Sequence, residues 1–286
     1  MEQLYLGIDG GQSHTAAVVA DDDGRVLGRG RGGPSNHADQ PGGRERLRRA
    51  IRESVAGALA ASGHHGVEST EFAAAHCAMT GAGDYKHEII SQMIKARRLK
   101  VGHDAPAALA GATGGQPGVV VIAGTGSVAY GEDAAGRSVR TGGWGFLFGD
   151  EGGGFWTAAE GVRRAMKAQD ETARATALGD LAREYFSMSD LDALAAAFYY
   201  EKISRDGLAS FARIVHQSAE DGDEVARAII SEGSAHLARL GATVARRLGV
   251  AARVASRRHV SQRARTRAFA AALDAQAPAP SPSAAL

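Results

Sequence analysis

Two α/β lobes meeting near residue 117, the second enlarged by a helical insertion, are predicted by three observations. Apolar runs of strand length alternate with helix-period segments in both halves of the chain. A Gly/Pro-rich stretch, GATGGQPG (111–118), separates the halves, and residues from about 154 to 249 carry Ala, Leu, Arg and Glu at helix spacing without a strong strand. At 286 residues and 44% apolar content the chain can bury two cores without disulfide staples. The expected division is 1–117, 118–252 and a tail, 253–286, that is partly disordered.

The elements follow in order. LYLGID (4–9) and TAAVVA (15–20) are strand-length apolar runs, and DDDG (21–24) turns the chain into RVLGRG (25–30), an antiparallel meander. Leu47, Ile51, Val55, Ala58 and Leu59 recur near helical spacing, which predicts an amphipathic helix over 44–61. FAAAHCAMT (72–80) reads as a buried strand, followed by a helix through 84–97 and the short strand LKVG (99–102). Asp104 can cap a helix DAPAALAGA, with Pro106 early, where its missing N–H costs little. Beyond the 111–118 hinge, VVVIAG (119–124) reads as a fully buried strand, and TGSVAYGED (125–133) as its continuation through a turn into the next.

Charge and composition exclude several classes. Thirty-three Lys and Arg against thirty-two Asp and Glu leave no global field for nucleic acid or a membrane surface. A single cysteine, Cys77, excludes an intramolecular disulfide framework and a Cys-built metal cluster within one chain, which predicts a cytoplasmic protein. Neither a leader segment nor a membrane-spanning run is expected. No G-x-x-x-x-G-K-[ST], H-E-x-x-H, paired C-x-x-C or G-x-S-x-G occurs. GRGRGG (28–33) matches G-x-G-x-x-G but leads into PSNH and not into a helix, so a dinucleotide site is a weak reading.

Four stretches carry candidate chemistry. DGGQSHT (9–15) sets a carboxylate and two glycines after the opening strand; its amides can face phosphate oxygens and Asp9 can hold magnesium through water, or it is an ordinary hairpin turn. IAGTGS (122–127) repeats the pattern in the second half, so the two turns together can grip a polyphosphate. Asp104 stands at a strand end, as an N-cap, as a general base, or as both. GGWGFLFGDEGGGF (142–155) crowds glycines, Trp144, Phe146, Phe148, Phe155 and the adjacent Asp150 and Glu151 together; burial of those aromatics predicts an ordered binding loop and not a flexible linker.

With IDGGQSHT, HDAPAAL, VIAGTGS and GGWGFLFGDEGGGFW in this order, the sequence resembles the sugar kinases of the acetate kinase–hexokinase–actin-like ATPase superfamily, within it N-acetylglucosamine kinases and BadF/BadG/BcrA/BcrD-type ATPases. The resemblance runs from residue 4 to about 249, and GGWG joined to GDEG is its most specific piece. It implies a two-lobed actin-like (ribonuclease H-like) fold with the sugar between the lobes, ATP and Mg²⁺ as cofactors, and phosphorylation of an amino sugar at O6. By this resemblance Asp104 is the catalytic base and Asp9 the metal contact, while Gly10, Gly11, Gln12, Ser13, Gly124, Thr125, Gly126 and Ala209 bind nucleotide. Asn36, His37, Thr80, Gly81, Asp104, Ser127, Gly143, Trp144 and Asp150 fall at sugar contacts, with Glu151 steadying the loop or adding one, and a homodimer is implied.

The pattern departs at residues 250–276. SRRHVS stands where relatives carry a Gly-Gly turn against the adenosine, and side chains at those positions keep a backbone away from a nucleotide. A disrupted reading frame near 253 with weakened ATP binding, a diverged end, or an arginine-rich, acid-free nucleic-acid patch over 246–273 are the alternatives there. The competing activities are a catalytically impaired sugar-binding or regulatory protein, and an ATPase activating a CoA-ester dehydratase or reductase through an iron–sulfur cluster, for which the one cysteine is a poor ligand source.

Overall fold

A computed structural model describes residues 3–11, 14–35, 41–79 and 85–250. The chain divides into two compact units, Met1–Ala108 and Leu109–Leu286.

The first unit is built on a five-stranded sheet of β1 (Tyr5–Gly10), β2 (Thr15–Ala20), β3 (Val26–Gly32), β5 (Ala74–Met79) and β7 (Leu99–Gly102), in the order β3-β2-β1-β5-β7. β1 and β2, and β2 and β3, are antiparallel, as the meander predicts; β5 and β7 continue the sheet parallel to β1. α1 (Gly43–Ala61) presents Leu47, Ile51, Val55, Ala58 and Leu59 to the core with Leu6, Ile8, Val19, Phe72 and Cys77. The alternating glycines of GRGRGG lie in β3, on the face that meets α1. A β-carbon on Gly30 would fall on the Ser54 carbonyl oxygen. This match to a dinucleotide fingerprint is therefore a strand made thin so that a helix can lie on it. Burial pushes the Cys77 thiol up to about 12, as expected of an inert core residue.

In this unit the strand read over 72–80 is interrupted at Ala73, leaving β4 (Glu71–Phe72) to pair with β6 (Lys95–Ala96) in a separate ribbon. α2 (Tyr85–Met93) accordingly stops short of residue 97. α3 (Asp104–Thr113) runs into the stretch read as a hinge, with Thr113 Oγ1 donating to the Leu109 carbonyl at 3.0 Å, and ends where Gly114 and Gly115 take positive φ.

The second unit holds an antiparallel sheet of β8 (Gly118–Ala123), β9 (Ser127–Glu132) and β10 (Ser138–Gly142), in the order β10-β9-β8. β8 is buried only over Gly118–Val120 and half-buried beyond. Among the described residues the sequence reading missed β10, because SVRTG lacks an apolar alternation, and the two-residue β6, which it placed within a helix. α9 (Glu224–Leu248) packs Val244 and Leu248 against Val119 and Ala129 of the sheet. The helical region predicted over 154–249 is α4 (Gly154–Gln169), α5 (Leu178–Phe186), α6 (Leu191–Tyr199), α7 (Arg205–Ser210), α8 (Ala212–Asp221) and α9, around Phe155, Leu178, Leu194, Phe211, Val215 and Ile229. Among the described residues no helix is long and apolar enough to cross a membrane. The tail at 253–286 lies outside the described residues.

Asp223 fastens this bundle. As the N-cap of α9 its Oδ1 accepts from the Ala226 amide at 2.8 Å, while Oδ2 accepts from Thr176 Oγ1 at 2.7 Å and the Ala177 amide at 3.0 Å. Partial burial pulls its pKa up, yet the hydrogen bonds from Thr176, Ala226, Ala177 and Val225 outweigh that and hold it below the ordinary 3.8. A depressed carboxyl pKa contributes stability above the unfolded value and loses it as pH falls through the folded one. Asp223→Ala is therefore expected to cost about 1–2 kcal/mol at pH 7 in urea denaturation, with the gap to wild type closing below pH 3.8.

Candidate active site

In the first unit the topology collects candidate residues at one edge of the sheet. β1, β3, β5 and β7 all run the same way, so their carboxyl ends share an edge, where open α/β sheets place ligands. The register sets Asp9 beside Ala78 and Ala78 beside Gly102. Asp104, the first residue of α3, thus follows a strand lying two strand spacings, roughly 10 Å, from β1. Asp9 and Asp104 are both half-buried.

The hairpin after β1 is pinned from two sides. The Gly11 amide donates to the His14 carbonyl at 2.9 Å, and the Gly11 carbonyl accepts from the Ser35 amide at 3.2 Å and Ser35 Oγ at 3.3 Å. Ser35, 1% exposed, ties the chain leaving β3 to the hairpin. Sequence reasoning passed over it, although it directly precedes Asn36 and His37. Gln12, Ser13, Asn36, His37, Thr80 and Gly81 lie outside the described residues.

In the second unit the turn between β8 and β9 is locked by the GDEG segment. The Gly124 amide donates to the Gly126 carbonyl at 2.9 Å. The start of α4 then meets the turn head-on: the Gly154 amide donates to the Gly124 carbonyl at 2.8 Å and the Phe155 amide to the Thr125 carbonyl at 2.9 Å. Asp150 Oδ1 accepts from the Ser127 amide at 3.2 Å, and Ser127 Oγ donates to the Glu151 carbonyl at 2.8 Å. Glu151 steadies this loop through its backbone. Ser127 is 4% exposed.

Asp150 itself takes φ 64°, a conformation Asp tolerates better than most residues. It sits so close to the turn that a β-carbon on Gly126 would overlap its carboxylate, and one on Gly152, at φ 75°, would press on the Gly233 carbonyl of α9. The glycine density of this stretch therefore lets three backbone segments touch. Gly143 continues the ladder, its amide donating to the Ser127 carbonyl at 2.9 Å. Ala209, in α7, brings its carbonyl against Gly154 beside the same turn. Asp206, missed in the sequence because it lies far along the chain, accepts from Thr125 Oγ1 at 3.3 Å.

The aromatics depart from expectation. Phe155 is buried, but Trp144 is 69% and Phe148 80% exposed, with Phe146 and Leu147 exposed beside them. Order in this loop comes from the backbone contacts just described, together with the Phe148 amide donating to the Gly145 carbonyl at 3.3 Å, and not from a buried aromatic core. Among the described residues no group of three or more His, Cys, Asp or Glu is placed to hold a metal ion.

Comparison with known proteins adds context to this geometry. Residues 6–260 match the BadF/BadG/BcrA/BcrD ATPase family. The chain is 32% identical over 241 residues to the N-acetylmuramic acid/N-acetylglucosamine kinase of Clostridium acetobutylicum, covering 82% of this chain and 77% of that one. It is 27% identical to the N-acetyl-D-glucosamine kinase of Dictyostelium discoideum over 87% of this chain and 81% of that one. A crystal structure described as a putative N-acetylglucosamine kinase from Chromobacterium violaceum superposes with a TM-score of 0.76 at 23% identity, covering 96% and 91% of the two chains, which shows a shared fold.

The Gly126–Asp150 contact predicts a coupled pair. Gly126→Ala should cost about 1–3 kcal/mol through overpacking, and in the Gly126→Ala/Asp150→Gly double variant most of that cost should vanish, because the overlapping carboxylate is gone. A double-mutant cycle in urea checks the coupling; strictly additive losses would contradict it.

Proposed function

Because the chain belongs to the BadF/BadG/BcrA/BcrD ATPase family, we propose that it transfers the γ-phosphoryl group of ATP to an amino sugar such as N-acetylglucosamine or glucosamine, at O6. The observation that carries this reading is the similarity to amino-sugar kinases along most of the chain.

The residues take these roles in the proposal. Gly10, Gly11, Gln12 and Ser13 of the hairpin and Gly124, Thr125 and Gly126 of the second turn line the phosphate site, where backbone amides other than those of Gly11 and Gly124, which donate within their own turns, face phosphate oxygens, with Ala209 lining the adenine site. Turns whose carbonyls are already occupied, as Gly11, Gly124 and Thr125 are, keep their shape when a charged ligand arrives, so little reorganisation is needed. Asn36, His37, Thr80, Gly81, Ser127, Gly143, Trp144 and Asp150 orient the sugar, for which exposed Trp144 offers a ring face and the glycines offer close backbone approach. Asp104 accepts the proton of the acceptor hydroxyl as its oxygen bonds to the γ-phosphorus and the bond to the bridging oxygen breaks, leaving ADP. Asp9, a hard oxygen donor at the hairpin, fits a magnesium ion held through water, which when bound would neutralise phosphate charge.

The reading extends to a cytoplasmic homodimer. The alternative is a catalytically impaired sugar-binding or regulatory member of the family, since SRRHVS stands where the resemblance expects a Gly-Gly turn. An activator holding an iron–sulfur cluster fits less well, since Cys77 is fully buried. Asp104→Asn removes the proton acceptor at nearly constant size. Its kcat for sugar phosphorylation should fall by about 10²-fold or more with unchanged circular dichroism and ATP affinity; a variant retaining most of its kcat would overturn the role.

A further inference from the structure

We infer that Asp206, in the first turn of α7, reads the ribose of the nucleotide, its carboxylate accepting hydrogen bonds from the vicinal hydroxyls of ATP. The inference rests on the amino-sugar kinase reading, in which the turn at 124–126 holds the phosphates and Ala209 lines the adenine site.

Two features lead there, and the first is position. Asp206 Oδ1 accepts from Thr125 Oγ1 at 3.3 Å, so the carboxylate stands at the phosphate turn although 81 positions separate the two in the chain. Ala209, one helical turn further on, shares its face of α7. A β-carbon on Gly154 would lie 3.2 Å from the Gly124 carbonyl oxygen and 3.5 Å from that of Ala209, which brings this end of α7 to the same turn. A nucleotide with its phosphates at the turn and its base beside Ala209 therefore carries its ribose past Asp206. The helix is fixed before any ligand arrives: Ser204 Oγ accepts from the Gly207 amide at 3.0 Å, and Tyr185 Oη donates to Ser210 Oγ at 2.9 Å.

The second feature is charge. Among the described residues Asp206 is in no ion pair, whereas Asp133, Glu160, Asp180, Glu224 and Glu232 of the same unit all meet an arginine. A carboxylate without a cation repels a polyphosphate, so its place at this turn opposes the ligand unless it also bonds to it. Carboxylates only accept hydrogen bonds. The donors of ATP are the two ribose hydroxyls and the amino group of the base, and the hydroxyls are the nearer to the phosphates. With Oδ1 turned to Thr125, Oδ2 is left for them, the pairing by which an acidic side chain holds ribose in dinucleotide sites.

ATP and its 2′,3′-dideoxy analogue differ only in those hydroxyls, so calorimetric titration of the full chain with each, in the presence of Mg²⁺, is a direct test. Wild type should bind ATP about tenfold more tightly than the analogue. Asp206→Ala should weaken ATP by about tenfold and the analogue by less than about twofold, which abolishes the preference. Asp206→Asn keeps an acceptor oxygen and should retain part of it. A wild type without the preference would overturn the ribose contact and leave the kinase reading standing. So would equal losses of both nucleotides in Asp206→Ala, the mark of a residue that only holds Thr125 or a metal ion, and tighter binding of both, the mark of simple repulsion. A wild type that binds neither nucleotide would overturn the contact and the nucleotide site together.

Discussion

Backbone proximity is the constraint on which the candidate site depends. The turn at 124–127 has its carbonyls filled by the first amides of α4 and the Ser127 amide filled by Asp150, and none of this is possible unless Gly126 and Gly152 let chain segments touch without β-carbons. A turn held this way has its backbone shape fixed by its own contacts. Electrostatic stabilisation of a transferring phosphoryl group depends on donors that need not reorganise. The same loop also sets the positive φ of Asp150, an arrangement that only an over-determined surrounding structure sustains.

The first unit reaches a similar end by topology. Four strands running one way bring the start of the hairpin, the Gly33–Ser35 stretch after β3, the end of β5 at Met79 and Asp104 to a single edge, with Ser35 tied to Gly11 by hydrogen bonds. Separate segments with unrelated sequences are thus gathered at a common edge.

Much of this was legible in the residues. The meander, α1, β7 and the helical half were announced by period and by turn chemistry, since DDDG and the glycines after α3 have local causes. The strand β10 was not, because SVRTG lacks a buried face of its own and is held by pairing to β9. The loop aromatics were expected inside because apolar area favours burial; Trp144 and Phe148 lie outside because glycine contacts, not side-chain packing, order that loop. Ser35 and Asp206 depend on long-range neighbours and leave no periodic trace in one sequence.

Phosphorus NMR of the full chain with ATP, Mg²⁺ and N-acetylglucosamine tests the central claim most directly, because it separates phosphoryl transfer to a sugar from transfer to water. The account predicts a sugar phosphomonoester resonance growing in step with ADP, coupled to the protons on carbon 6. ADP accompanied by inorganic phosphate alone, with no sugar ester, would contradict it.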